Sequence, residues 1–171
     1  AQVMALRTYT DSEYLLLATR NGLVKKTRLS EYDSPRSGGL IAVNLRDGDE
    51  LVGAGLATHD DDVLLVSRKG QAVRFAATDD SLRPMGRSTS GVTGMKFREG
   101  DELLSMNVVP KGANEVERGA DEKLCVFVVF ENGLAKRTPV EEYPTKGRAT
   151  LGVKVATNSE PVSYTHLRAH E

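Results

Sequence analysis

Three stretches of this chain can be laid over one another, and that repetition limits the fold more than any other feature. Residues 14–29 (YLLLATRNGLVKKTRL), 63–77 (VLLVSRKGQAVRFAA) and 124–140 (LCVFVVFENGLAKRTPV) each give an apolar β-rich run, a polar pair, a glycine and a mixed run. Each continues into a loop with an arginine beside small residues: SPRSGGLIAVNL, PMGRSTSGVTGMKF and TKGRATLGVKVA. Two copies then close on GDELVGAGLA (residues 48–57) and GDELLSMNVV (residues 100–109), and QVMALRTY near the start reads as the closing strand of a preceding unit. A unit of about 50 residues with about four short strands is the size of a propeller-type blade, which buries its faces only by stacking on its neighbours. The chain is therefore expected to be all-β, with propeller-like four-stranded blades near residues 11–60, 61–110 and 123–158.

The glycines Gly22, Gly70 and Gly133 set the register. Asn-Gly between β-rich runs predicts a hairpin, since both central residues of the tightest such turn need positive φ. Spacing between the glycines is 48 and then 63 residues, and the excess falls in PKGANEVERGADE, an acidic segment expected to be a surface loop. Helical periodicity is nearly absent. RLSEYD, ATDDSLR and PVEEYP occupy equivalent places and are too short for more than a turn.

With 23 Lys+Arg against 24 Asp+Glu, net charge −1, the chain shows no global sign of a polyanionic partner. The distribution is more informative. Four places after each glycine stands a cation, Lys26, Arg74 and Arg137, and the third place adds Lys25 and Lys136. Arg36, Arg87 and Arg148 recur in the loops, and Arg28 reinforces the first strand. Charge on both faces of a strand end predicts an exposed blade edge, where Lys also discourages edge-to-edge aggregation. Edge protection has no preference for sign, yet the fourth place is basic in every copy. Stacked radially, these residues would form a basic belt for the phosphates of a duplex. No aromatic platform for single strands recurs beside them, and no recognition helix exists for the major groove, so sequence-tolerant binding with DNA bending is expected.

Enzymatic motifs fare poorly. HDDD (residues 59–62) falls between a closing strand and the next hairpin, where acidic turns are ordinary. GAGLAT lacks the third glycine of a dinucleotide fingerprint, and neither a phosphate-binding loop nor a nucleophile elbow occurs. Cys125, inside an apolar run, reads as a buried thiol, and the longest apolar runs are far short of the ~20 residues of a membrane helix. Cytoplasmic location is the expectation.

NGLVKKT, RSGGLIAVNLRDGDELVGA, LRPMGRSTSGVTGMKF and AKRTPVEEYP together closely resemble the C-terminal domain of the DNA gyrase A protein, from about Gln2 to Thr157. The related component of topoisomerase IV has a similar domain and is the alternative; a propeller-like protein-interaction scaffold is the alternative outside this class. The resemblance implies a β-pinwheel, a six-bladed disc with strands exchanged between blades, of which about three are present here. It implies a module that binds and bends duplex DNA around a basic perimeter for ATP-dependent negative supercoiling, with the rest of the gyrase A protein and the gyrase B protein as partners in an A2B2 assembly and a nucleoid-associated location. It places Lys25, Lys26, Arg28, Arg74, Lys136 and Arg137, with Arg36, Arg87 and Arg148, on or near the wrapping surface. ATP and Mg2+ would belong to the holoenzyme; this chain is expected to carry no catalytic residue, cofactor or metal of its own.

Two departures are visible. The family's glutamine-arginine-glycine-rich heptad has no good copy, the closest segment being TKGRATLG (residues 145–152). VSYTHLRAHE departs from the repeats and looks like a translated adapter or vector run, so residues 161–171 are expected to be a foreign or disordered tail, with His166 and His170 too few for a metal site. Half a disc leaves blade faces uncovered, and weak stability or self-association is expected.

Overall fold

The repeat glycines sit at the bends of three hairpins. In the computed structural model, which describes residues 13–112, 123–155 and 161–168, β1 (Glu13–Thr19) and β2 (Leu23–Arg28), β4 (Asp62–Ser67) and β5 (Gln71–Ala76), and β8 (Cys125–Phe130) and β9 (Ala135–Pro139) pair antiparallel. Gly22, Gly70 and Gly133 have φ of 81°, 75° and 84°, and the amide of Gly22 donates to the Thr19 carbonyl at 2.9 Å. Among the described residues Ala149 is the one non-glycine with positive φ, so Asn21 and Asn132 do not share the left-handed conformation. The turn expected with two left-handed residues is thus a longer connection in which glycine alone takes that role.

Each hairpin receives an inner closing strand: β3 (Leu51–Thr58) on β1, β7 (Leu103–Val109) on β4, and β11 (Val162–Arg168) on β8. The first two were legible as GDEL segments. The third corrects the reading of a disordered tail: Val162 is fully buried, and residues 164–168 pair with β8 in continuous register. Residues 169–171, like the preceding-blade strand near residues 1–12 and residues 113–122 of the acidic loop, lie outside the described residues. The short helical segments are single 3-10 turns, Leu29–Tyr32 and Val140–Glu142.

The blades are laced together by donated strands. β6 (Val92–Thr93), from the second repeat's loop, pairs with β2 of the first, and β10 (Val153–Lys154), from the third, pairs with β5 of the second. Sheet orders are therefore β3-β1-β2-β6, β10-β5-β4-β7 and β11-β8-β9. Each donated strand is preceded by a glycine of positive φ, Gly91 or Gly152, whose missing Cβ would fall on the carbonyl oxygen of Val24 or Ala72 in the receiving strand. Only glycine permits that approach.

Between the first two sheets lie Leu16, Ala18, Val24, Val63, Leu65, Val73 and Phe75; between the second and third lie Leu64, Val66, Val126, Val128, Phe130, Val140 and Val162. Burial of β4 on both faces explains its unbroken VLLV run, since alternation marks strands with one wet face. Cys125 is a buried free thiol.

Candidate nucleic-acid interface

In the first two blades the recurrent strand cations are not on an exposed edge. Lys25 and Lys26 are 1% and 0% exposed, which corrects the surface placement read from the repeat. Lys26 Nζ donates to the Ala77 carbonyl at 2.5 Å and to Asp79 Oδ1 at 2.8 Å, and lies 4.5 Å from the Tyr14 ring centroid. Its acceptors belong to the corner of the second blade. Arg74 repeats the arrangement one blade on: it donates to the carbonyls of Val140 (3.1 Å) and Tyr143 (3.3 Å) in the third blade's corner and pairs with Asp62 at 2.7 Å. Inward-turned corner carbonyls need donors, and a long stem ending in a cation fills apolar space while supplying them. Hydrogen bonding by Lys26 in turn holds the Asp79 carboxyl below its usual range.

Lys25 Nζ donates to the Ala42 carbonyl at 2.6 Å and to that of Arg87, tying two successive loops together. Burial lowers its pKa to about 8, opposed by Glu31 and assisted by Arg87. Because its pKa in the folded state lies below the ordinary 10.5, the cost of burying the ammonium is present in full below pH 8 and fades as pH rises to the ordinary value. Across that window the wild-type melting temperature should rise relative to a Lys25→Met variant; parallel curves would show that Lys25 does not titrate there.

The loop arginines reach the other way. Arg87 donates to the Ile41 carbonyl of the preceding loop at 3.3 Å, and Arg148 to the carbonyls of Ser81 (2.7 Å) and Thr93 (2.9 Å). Arg28 is half-buried, 5.5 Å from the Tyr14 ring. Of the nine cations singled out in the sequence, Arg36, Lys136 and Arg137 are exposed.

What the structure does bring together is a rim of three loops. The Asn44 amide donates to the Thr89 carbonyl at 3.1 Å and that of Lys96 to Thr150 at 2.9 Å, stitching residues 34–46, 83–98 and 144–154 into one path. These segments hold nine basic residues and no acidic one in a chain of net charge −1. Arg36 and Arg46 stand in the first; Arg83, Arg87, Lys96 and Arg98 in the second; Lys146, Arg148 and Lys154 in the third. Arg46, Arg83, Lys96, Arg98, Lys146 and Lys154 were missed, and all six are exposed. The signal that finds them is the absence of acids over each whole loop, not recurrence at one place.

Two acids from outside these loops touch them: Glu31 accepts from the Arg87 amide at 3.0 Å and Asp62 from the Thr145 hydroxyl at 2.7 Å. Asp60 lies 3.1 Å from His59 and 3.0 Å from Lys111, Asp62 holds Arg74, and Asp61 accepts from the amides of Thr58 and Lys111, so the HDDD carboxylates all serve local structure. Among the described residues no three His, Cys, Asp or Glu side chains converge as a metal site, and no helix is long and apolar enough to cross a membrane.

A family model described as the DNA gyrase C-terminal domain, beta-propeller, matches residues 13–57, 61–110 and 131–161. The DNA gyrase A protein of Mycobacterium bovis (strain BCG / Pasteur 1173P2) is 58% identical over 153 residues, covering 90% of this chain and 17% of that protein. The DNA gyrase A protein of Streptomyces coelicolor is 57% identical over 161 residues, covering 91% of the chain and 18% of its own length. Among solved structures, the C-terminal domain of DNA topoisomerase IV superposes with TM-score 0.78 at 27% identity (95% of this chain, 48% of that one). The DNA gyrase A C-terminal domain does so at 0.72, also 27% identical (93% and 50%). Identity well above half with gyrase A proteins does not favour the topoisomerase IV alternative. The chain spans less than a fifth of those proteins and about half of the solved domains, and it belongs to the DNA gyrase C-terminal domain family, with that family's β-propeller architecture.

Proposed function

We propose that this chain is a duplex-DNA-binding module of a gyrase A protein, which bends DNA along its rim in support of ATP-dependent negative supercoiling. The observation that carries the reading is the composition of the rim loops, nine cations and no acid within the three segments, which suits a regularly charged backbone. Contacts are assigned to Arg46, Arg83, Lys96, Arg98, Lys146 and Lys154, with Arg36, Arg87 and Arg148 beside them. Lys25, Lys26 and Arg74 support the loops from beneath, while Arg28, Lys136 and Arg137 flank the path. The hydroxyls of Ser88 and Ser90 add neutral donors for phosphate oxygens. Strand cleavage, ATP and Mg2+ belong to the remainder of the gyrase A protein and to the gyrase B protein in an A2B2 enzyme acting at the nucleoid.

Salt titration of binding to a random-sequence duplex tests the proposal. Six phosphate contacts give a slope of log K against log salt of about −5, the same for unrelated sequences. A protein-interaction scaffold would bind duplex negligibly at any salt, and that result would overturn the assignment.

A further inference from the structure

One carboxylate stands where the rim would meet an anion. Nine residues after each repeat glycine comes an acid, Glu31, Asp79 or Glu142, in the corner that follows the hairpin. Glu31 reaches out of its own blade. Its Oε2 accepts from the backbone amide of Arg87 in the second rim loop at 3.0 Å, and a Cβ on Gly86 would lie 3.9 Å from the same oxygen. Two cations meet at this point: Lys25 Nζ donates to the Arg87 carbonyl, the Arg87 guanidinium donates to the Ile41 carbonyl, and Lys25 interacts electrostatically with both Glu31 and Arg87.

The contact is not a fixed part of the frame. Glu31 is exposed, so its side chain can turn into water without uncovering a core. The next junction also forms without a copy of it. There Asp79, the counterpart of Glu31, accepts from Lys26 at 2.8 Å, while loop 144–154 is still held by the Lys96 amide on the Thr150 carbonyl and by β10 on β5. A carboxylate oxygen and a phosphate oxygen accept from a loop amide in the same way. Glu31 therefore marks a place on the rim that already suits an anion.

We propose that Glu31 is a resident anion on a phosphate site of the rim, and that a backbone phosphate of bound duplex displaces it from the Arg87 amide. This rests on the DNA-binding reading, within which it names one contact and its internal competitor. The incoming phosphate takes the amide and the positive field of Arg87 and Lys25. Glu31 turns to solvent, but its charge stays close to the path. Binding at this place is weakened twice, by breaking the carboxylate contact and by keeping two anions near each other. At the next junction the corner acid is held by Lys26 and does not compete, so the rim grips unevenly along its length.

Binding of a random-sequence duplex at low salt by the full 171-residue chain and three variants tests the proposal. Glu31→Gln removes the charge but keeps an oxygen for the amide, and about threefold tighter binding is expected. Glu31→Ala also vacates the amide, and about tenfold is expected. Asp33→Asn removes an exposed charge two residues away and should gain less than either. Melting curves check that each variant keeps the fold; should the alanine variant melt early, Glu31→Gln against Asp33→Asn decides alone. Equal gains in all variants would show long-range charge only, and unchanged or weaker binding by folded Glu31 variants would make Glu31 a brace for the loop. Either result overturns the proposal while the wild type still binds duplex. A wild type that binds no duplex at any salt would overturn the DNA-binding reading, and this proposal with it.

Discussion

Reversing Arg83, Lys96 and Lys146 together to Glu is expected to lower duplex affinity at least about a hundredfold while leaving the fold unchanged. All three side chains are exposed and make no ion pair among the described residues, so their replacement removes no internal salt bridge. Losing three phosphate contacts should also flatten the slope of log K against log salt by about 3. That second readout separates loss of contacts from a change in shape, which would weaken binding without changing the count of released ions. A triple variant with wild-type affinity and slope would remove the rim from consideration as the DNA path.

Lys26→Ala is expected to behave in the opposite way, lowering stability by about 3–5 kcal/mol before any effect on DNA is measurable. The four-carbon stem fills a fully buried position, and its loss leaves a cavity. The Ala77 carbonyl loses its 2.5 Å donor at the same time. Lys26→Met keeps most of the stem and isolates the second effect, with an expected loss of about 1–3 kcal/mol. For a chain of this size the alanine change corresponds to a drop in Tm of about 10 °C. Charge removal at Asp79 should cost much less, because that carboxylate is 59% exposed. Equal melting of Lys26→Ala and wild type would show that the junction does not need its cation.

The same pair of experiments marks where the sequence was legible. Gly22, Gly70 and Gly133 announced three hairpins because a left-handed turn residue and its flanking apolar runs are local features. Recurrence of Lys26, Arg74 and Arg137 was equally visible, but recurrence in a stacked array has two sources: a shared outside ligand, and a shared junction between neighbours. Both demand the same residue at the same place. Only the packed structure separates them, by showing the corner carbonyls that Lys26 and Arg74 address. β6 and β10, two residues each, carry no periodicity that a sequence window could register. β11 was missed for a different reason. Its residues do not resemble GDELVGAGLA or GDELLSMNVV, yet the slot beside β8 asks mainly for extended backbone and apolar or small groups such as Val162 and Thr165.

Loops 83–98 and 144–154 carry exposed cations and also contain β6 and β10, the strands that complete the preceding sheets. A pull on such a loop is therefore shared by two blades through backbone hydrogen bonds lying within a sheet. If a duplex is bent along the rim as proposed, it would push back with an elastic energy on the order of 1–6 kcal/mol for a short site. Spread across two sheets, that recoil would meet a frame in which these two loops are tied at both blades, and the curvature imposed on the duplex would then follow that of the frame.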